Sequence, residues 1–259
     1  MSEKNNETIE ESVDLQQGEH IEKFLHGKVR IVQKQDGYRF SIDPILLCGF
    51  VDIKPDDVVA DLGTGSGVMP IILASQGQGA HSVGIEIQPS LVDQAQRSAK
   101  LNGFEDRIEI VEGDYMHIRN VCEANEFDAV ISNPPYIRQG GGRIPSDEQK
   151  AIARHEISMD LGGMAAAAAY LLKPGGRAYF VYTTTRLVDM LQTCRQHDLE
   201  PRTIQMVHNN ENTRAKLVLV EAVNGGGVEL NVLKPLFVYN LEGDYTDEVN
   251  GFLEEKPGL

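Results

Sequence analysis

The chain has 259 residues, of which 41% are hydrophobic, and a formal net charge of −15. This length allows one full-sized domain with an appendage, and no apolar run approaches the roughly 18 residues that a membrane span needs. The charge is concentrated at the ends, because residues 1–22 and 221–259 each carry −6 and leave only −3 for the middle. A nearly neutral middle neither requires nor excludes a nucleic-acid partner.

The N-terminus, MSEKNNETIEES, is polar and acidic rather than signal-like. The three cysteines, Cys48, Cys122 and Cys194, are odd in number and widely spaced within apolar patterns. They fit neither a disulfide framework nor a zinc cluster, so we predict no metal and a reducing, cytoplasmic location.

The first part of the chain differs in pattern from the rest. Residues 1–18 lack apolar periodicity and predict a disordered acidic tail. Residues 19–50 predict an N-terminal hairpin or cap segment, because apolar positions alternate on both sides of Asp36-Gly37, a hairpin-turn signal.

From Asp56 onward, short apolar runs alternate with helical patterns, which predicts a parallel sheet with helical crossovers. The predicted strands are residues 58–62, 82–86, 108–113, 127–132 and 177–182. One predicted helix begins at Pro89 and stops near Asn102, a second opens at Ser146, and a third covers residues 164–176 and ends in Pro-Gly-Gly.

The last strands differ from the others. Residues 203–208 and 215–223 are separated only by a polar loop, so they are expected to pair antiparallel. We therefore predict an α/β, Rossmann-like fold with a mostly parallel seven-stranded sheet and a terminal antiparallel hairpin, the arrangement of class I methyltransferases. The domain is expected to cover residues 51–224, and residues 225–259 are expected to pack on or near it.

The motif DLGTGSG follows the first strand of this sheet. Its glycines let the backbone turn tightly and approach a ligand closely. The spacing G-x-G-x-G is not that of a dinucleotide fingerprint, and no Walker lysine follows, so a phosphate cradle is the weaker interpretation. A purely structural turn is the other alternative. The candidate cofactor-binding residues here are Asp61, Gly63, Thr64 and Gly65.

Two further acids end the next two strands. Glu86 is placed to accept hydrogen bonds from both hydroxyls of a ribose. In EGDY, Asp114 is able to accept from an adenine amino group while Tyr115 lies against the ring, although a turn-capping aspartate is a serious alternative. Together with the glycine loop, these residues specify an adenosine without phosphates, and S-adenosylmethionine (SAM) is the cofactor that fits.

The tetrapeptide NPPY, residues 133–136, follows the fourth strand beside the same sheet edge. The lone pair of an exocyclic or amide nitrogen is delocalised, and two acceptors on its N–H bonds stabilise the cation that develops on it. The Asn133 side-chain oxygen and the Pro134 carbonyl are suited to be these acceptors, and prolines stiffen the turn. Tyr136 supplies a flat face for stacking. We therefore predict Asn133, Pro134 and Tyr136 as catalytic residues, with Asn133 also beside the cofactor.

These motifs resemble those of the SAM-dependent amino-methyltransferases that modify adenine N6 or glutamine side chains. A narrower resemblance covers GYRFSIDPILL (37–47), ARHE (153–156), LKPGG (172–176) and the tail from residue 220, and it is to the bacterial tRNA(Val) adenine-N6 methyltransferases. That resemblance implies methylation of the adenosine next to the anticodon. It also implies that Tyr38 to Asp43 closes over the cofactor site.

The substrate surface is expected to follow NPPY. Pro135 and Tyr136 take the base, and Arg138 and Arg154 are candidates to grip RNA phosphates, although a solvated charged face is an equal alternative.

Three other functions compete with RNA methylation. Release-factor glutamine methyltransferases use the same NPPY but carry a helical N-terminal domain, whereas here a hairpin is predicted. DNA is disfavoured because no separate target-recognition domain fits in the chain. A SAM-binding scaffold without activity is disfavoured by the intact Asn133 and Tyr136.

Overall fold

The computed structural model of the chain describes residues 13–35, 42–134 and 161–253. The strands are β1 (Glu19–Phe24), β2 (Val29–Lys34), β3 (Val58–Leu62), β4 (His81–Glu86), β5 (Ile108–Glu112), β6 (Phe127–Ser132), β7 (Leu172–Thr183), β8 (Leu199–His208), β9 (Ala215–Asn224), β10 (Asn231–Val232) and β11 (Leu236–Phe237). The helices are α1 (Asp43–Phe50), α2 (Val68–Ser75), α3 (Pro89–Leu101), α4 (161–171), α5 (Leu187–Gln196) and α6 (Asp247–Leu253).

Seven strands form the main sheet in the order β5-β4-β3-β6-β7-β9-β8, and β10 and β11 each pair with the outer edge of β8. Strand β9 is antiparallel to both of its neighbours, and the other strands of this sheet pair parallel. The predicted parallel sheet with a terminal antiparallel hairpin is therefore confirmed. The two outermost strands were missed because a two-residue strand has too few positions to show a period.

The central strands are continuous apolar runs because helices cover both faces of the sheet. In β3, Val59 packs with the core that contains α1, α2, α3 and α6, whereas Ala60 and Leu62 pack with α4 and α5 on the opposite face. The same alternation in β6 sends Ile131 to the first core and Val130 to the second. The site must therefore lie at an edge of the sheet, where the strands end.

Two of the predicted helices are described. Helix α3 begins at Pro89 and ends at Leu101, as predicted. Helix α4 ends at residue 171 rather than 176, because Leu172 already pairs with Phe127 and is fully buried. The Pro-Gly-Gly stretch is thus an irregular start of β7 and not the end of the helix. The helix predicted to open at Ser146 lies outside the described residues.

Residues 19–34 form a hairpin that differs from the one predicted around Asp36-Gly37. Strand β2 pairs antiparallel with β1, which precedes it, through a turn at residues 25–28. The alternating pattern identified β2 correctly, but apolar β1 positions were hidden among charged residues. The predicted turn at Asp36-Gly37 lies outside the described residues.

The two ends of the described chain pack on the domain. Val13 is buried against Val32 and Leu101. The prediction of a disordered tail over residues 1–18 therefore does not hold for residues 13–18. At the other end, α6 packs against α1, where a Cβ added to Gly49 would lie 2.3 Å from the Phe252 ring. The domain boundaries at residues 50 and 224 stay predictions.

Candidate functional site

The carboxyl ends of β3, β4, β5 and β6 lie side by side at one edge of the sheet. Asp61 in β3 is in register with Gly84 in β4 on one side and with Ile131 in β6 on the other. The chain continues from β3 outward to β4 and β5 but returns to β6 on the opposite side. This change of direction creates a crevice, which is where ligands bind in sheets of this type.

The glycine loop after β3 has the backbone conformation that only glycine adopts readily. Gly63 and Gly65 have φ angles of 73° and 58°, in the left-handed region. A Cβ at either position would meet no atom within 4 Å, so open space lies in front of the loop. Gly67, with a φ of 80°, ends the loop where α2 begins and lies against Ala95. The loop therefore presents bare backbone to the crevice.

Asp61 is a buried carboxylate without a partner. Its exposed fraction is 0%, and neither of its side-chain oxygens has a hydrogen-bond partner among the described residues. The Thr64 hydroxyl, 6% exposed, is likewise unpaired within that part of the chain. Burial raises the pKa of Asp61 to about 7; the neighbouring Thr64 hydroxyl opposes this rise, and the negative charge of Glu86 adds to it. Such groups cost free energy unless a ligand satisfies them.

Glu86 is held rigidly at the end of β4. One carboxylate oxygen accepts a hydrogen bond from the Gly65 N–H at 3.0 Å, and the other accepts from the Gln88 N–H at 2.9 Å. Each oxygen keeps a second lone pair that is able to accept from a hydroxyl. A direct hydrogen bond thus joins the glycine loop to Glu86, and the carboxylate is oriented before any ligand arrives.

Asp114 caps a turn, which was the alternative to adenine binding. Its side chain accepts hydrogen bonds from the Met116 N–H at 2.8 Å and contacts His117 Nδ1 at 3.2 Å. This capping starts the 3-10 helix Tyr115–Asn120. Asp114 also follows Gly113, whose N–H donates to the Glu86 carbonyl, so it lies at the same edge as Glu86. Capping leaves further lone pairs on the Asp114 carboxylate that are able to accept hydrogen bonds from a ligand.

Asn133 and Pro134 follow β6 directly, at the same edge and half-buried. Ser132, the last residue of β6, is 1% exposed, and its hydroxyl donates a 2.7 Å hydrogen bond to the Leu62 carbonyl next to the glycine loop. The structure thus brings the first two residues of NPPY to the crevice that Asp61 and Glu86 share. The other predicted substrate residues, Pro135, Tyr136, Arg138 and Arg154, lie outside the described residues, as does most of the predicted closing segment from Tyr38.

One candidate residue was missed in the sequence. Ile87 is 59% exposed although it is apolar, and it directly follows Glu86. An exposed apolar side chain beside an oriented carboxylate provides a flat surface on which a planar ring can pack. The sequence signal was present, because Ile87 stands between the end of a strand and the start of a helix, where polar residues are usual.

A family model described as "Methyltransferase domain" matches residues 53–225. A tRNA1(Val) (adenine(37)-N6)-methyltransferase from Porphyromonas gingivalis is 30% identical over 189 residues, which cover 71% of this chain and 73% of the relative. The chain belongs to this methyltransferase family. A relative with the same designation from Aeromonas salmonicida is 29% identical over 213 residues and covers 81% of this chain and 86% of its own.

Solved structures similar to this methyltransferase show the same fold. One, described as a predicted O-methyltransferase from Agrobacterium tumefaciens, has a TM-score of 0.66 at 20% identity and covers 82% of this chain and 97% of its own. Another, TYW2 from P. horikoshii, has a TM-score of 0.56 at 16% identity over 82% of this chain and 73% of its own. These likenesses concern the fold alone.

Within the ranges that the structure describes, the methyltransferase has no candidate metal site, membrane-spanning helix or disulfide. There, no three His, Cys, Asp or Glu side chains are grouped so that they could hold a metal ion. Of the described helices, none combines the length and apolar character of a membrane span. All three cysteines are free.

Proposed function

We propose that this methyltransferase transfers a methyl group from SAM to the exocyclic N6 amine of an adenosine in tRNA, beside the anticodon of a valine tRNA. The observation that carries the proposal is the position of Asn133-Pro134, directly after β6, at the edge that also holds Asp61 and Glu86. The relatives from P. gingivalis and A. salmonicida support the choice of tRNA and of adenine N6.

The chemistry of the crevice fits SAM. The unpaired, buried Asp61 carboxylate suits a cationic ligand, and SAM carries an ammonium and a sulfonium group. Glu86 is oriented to accept from the ribose hydroxyls. Asp114 and Tyr115 follow the end of β5 and Ile87 follows the end of β4, the part of the sheet edge where the adenine is expected. Gly63 and Gly65 leave the space that the methionine part requires. When bound, SAM supplies an electrophilic methyl group.

Asn133 and Pro134 prepare the target nitrogen. The Asn133 side-chain oxygen and the Pro134 carbonyl accept hydrogen bonds from the two N–H bonds of the amine. As the nitrogen attacks, it gains positive charge, and these two fixed dipoles stabilise that charge without a charged base. The nitrogen would take the methyl group from SAM, the electron pair of the carbon–sulfur bond would stay with S-adenosylhomocysteine, and the cationic nitrogen would then lose one proton to water.

The remaining residues of the site stay predictions. Pro135 and Tyr136 are expected to take the flipped base, and Arg138 and Arg154 to contact RNA phosphates. A tRNA substrate also agrees with the predicted cytoplasmic location.

An assay with labelled SAM tests the proposal. Unmodified total tRNA and purified release factors serve as separate acceptors, and heat-denatured enzyme is the blank. Label in tRNA supports the proposal, whereas label in the release factor alone would make the protein a glutamine methyltransferase. SAM binding without label in either acceptor would contradict the proposed activity.

A further inference from the structure

The pairing between the strands that carry the two halves of the site ends where the site begins. Strand β6 pairs with β3 through Ala129, Val130 and Ile131. At Ser132 it is still in register with Phe180 of β7, but its described pairing with β3 has ended. The hydrogen bond from the Ser132 hydroxyl to the Leu62 carbonyl, at 2.7 Å, connects the two strands beyond their last paired residues. Ser132 is therefore positioned between the expected holder of the methyl donor and the expected holder of its acceptor.

The peptide bond between Leu62 and Gly63 is held from both sides. Its carbonyl accepts from Ser132 on the β6 side, and its N–H donates to the Ile85 carbonyl on the β4 side at 2.9 Å. Both Leu62 and Ser132 are 1% exposed, so solvent is not a ready substitute for the hydroxyl. Loss of the hydroxyl would remove the bond that fixes β6, and with it Asn133, against the glycine loop, while the bonds from Gly63 to Ile85 and from Gly65 to Glu86 would still hold the loop.

We propose that Ser132 is a positioning residue for methyl transfer, which sets the distance between the glycine loop and the Asn133 acceptor. This rests on the proposed role of Asn133. Transfer requires the methyl carbon and the attacking nitrogen to meet within about 3–3.5 Å, and a misplacement of about 1 Å costs roughly 100-fold in rate. The Ser132 hydroxyl bonds to the protein backbone and is not expected to contact SAM or the target amine. We therefore expect its loss to lower the rate of the chemical step and not the affinity for SAM.

The test compares Ser132→Ala with Ser132→Thr, which keeps the hydroxyl, in the full chain. Ser98→Ala is the matched control, because Ser98 is also fully buried and donates to the Gln94 carbonyl at 2.7 Å, but it supports the hairpin and not the site. Single-turnover methyl transfer, the Kd for SAM and the Tm are measured for each variant. Ser132→Ala is also combined with Asn133→Ala.

The expected result is a rate roughly 10- to 100-fold lower for Ser132→Ala, with the Kd for SAM within threefold of the wild type. Ser132→Thr restores the rate, and if that variant does not fold, Ser132→Cys, which keeps a weaker donor, gives an intermediate rate. Ser98→Ala lowers the Tm and leaves the rate within about twofold. In the Asn133→Ala background, Ser132→Ala has no further effect, because the residue that it positions is gone.

Three results would overturn the proposal. The first is an unchanged rate for Ser132→Ala, and the second is a loss of SAM affinity equal to the loss of rate. The third is a double variant whose rate is reduced by the product of the two single-variant reductions. Failure of the wild type to label tRNA would refute the proposed substrate and not the role of Ser132. The same variants are then compared on whichever acceptor the wild type labels, since a release-factor amide requires the same placement.

Discussion

Two buried carboxylates in this protein have opposite surroundings. The Glu19 side chain, 1% exposed, receives two hydrogen bonds from the Arg97 guanidinium, at 2.7 and 2.8 Å, and a third from the Gln16 N–H. These partners, chiefly Arg97, hold the pKa of Glu19 below its ordinary value. Asp61, which is 0% exposed, has no side-chain hydrogen bond to the described residues, and burial raises its pKa to about 7.

The difference separates a structural contact from a binding site. Around Glu19, the hairpin is fixed to α3: Asn102 bonds to both backbone groups of Arg30, and Ser98 accepts from the Val32 N–H. Each of these bonds favours the folded chain. At the crevice, the unpaired Asp61 and Thr64 are a cost to the empty protein that a ligand removes on binding. Changes at the crevice should therefore affect function, and changes at the hairpin should affect stability.

The largest functional effect is expected for Asn133→Ala. Removal of one fixed dipole from a charge-developing centre typically costs about 10²- to 10³-fold in kcat. SAM affinity and the free energy of unfolding should change little, because the interaction forms in the transition state. Near-normal turnover of this variant, measured with labelled SAM, would contradict the acceptor mechanism.

The next largest effect is expected for Asp61→Asn. The amide has the same shape but no charge, so the Kd for SAM should rise by at least about tenfold, which is about 1.4 kcal/mol. The free energy of unfolding at pH 8 should not fall, because an unpaired buried charge is removed. Calorimetric titration and urea denaturation measure the two quantities. If the variant is less stable and binds SAM normally, Asp61 has a structural role, as Glu19 does.

The unfolding free energy of the protein without ligand should depend on pH through the Asp61 carboxyl. Its folded pKa, about 7, lies above the ordinary value of 3.8, so the folded state binds the proton more tightly. The stabilisation from this group is fully present below pH 3.8 and is lost as the pH rises through about 7. The difference in unfolding free energy between the wild type and Asp61→Asn should therefore fall between pH 4 and 8. A flat difference would show that Asp61 is partnered.

Glu19→Gln should show the opposite behaviour. We expect a loss of about 2 kcal/mol in unfolding free energy at pH 7, because the charged pair with Arg97 is lost. The depressed pKa of Glu19 means that this stabilisation is present above its ordinary value of 4.5 and is lost as the pH falls through the folded value. The SAM affinity should be unchanged. Glu22→Gln, on the same strand but in an exposed contact with His20, is the control and should cost less than about 1 kcal/mol.

The smallest effect is expected for Ile87→Ser. Because Ile87 is exposed, the free energy of unfolding should stay within about 0.5 kcal/mol, while the Kd for SAM should rise about threefold. Val188→Ser, which removes an even more exposed apolar side chain on α5, is the control and should change neither quantity. Equal SAM affinity in both variants would exclude Ile87 from the cofactor site.

Most of the fold followed from local patterns in the sequence. Buried strands such as β3 and β6 are short apolar runs, and α3 carries its own start and stop signals. The end of α4 was misplaced and β1 was not predicted, because tertiary contacts decide them: β1 is defined by its pairing with β2, and the start of β7 by the pairing of Leu172 with Phe127.

The placement of Gly63, Glu86 and Asn133 at one edge of the sheet was predictable, because in each case one motif follows one strand. The proposed role of Ser132 was not predictable, because a serine before NPPY shows its burial and its partner only in three dimensions. Ile87 left a signal in its position between a strand and a helix, and that signal was overlooked. Likewise, nothing in the sequence distinguishes the carboxylate of Asp61 from that of Glu19. The folded structure gives Glu19 its partners and leaves Asp61 without a side-chain hydrogen bond to the described residues.

The most direct measurement is mass spectrometry of nucleosides from unmodified tRNA incubated with the protein and SAM, with Asn133→Ala as the control. N6-methyladenosine formed by the wild type, and reduced to near background with the variant, is the expected result. A methyl group on another atom, such as adenine N1 or a guanine nitrogen, or equal yields from both proteins, would contradict the assignment of the Asn133-Pro134 turn as the acceptor of the N6 amine.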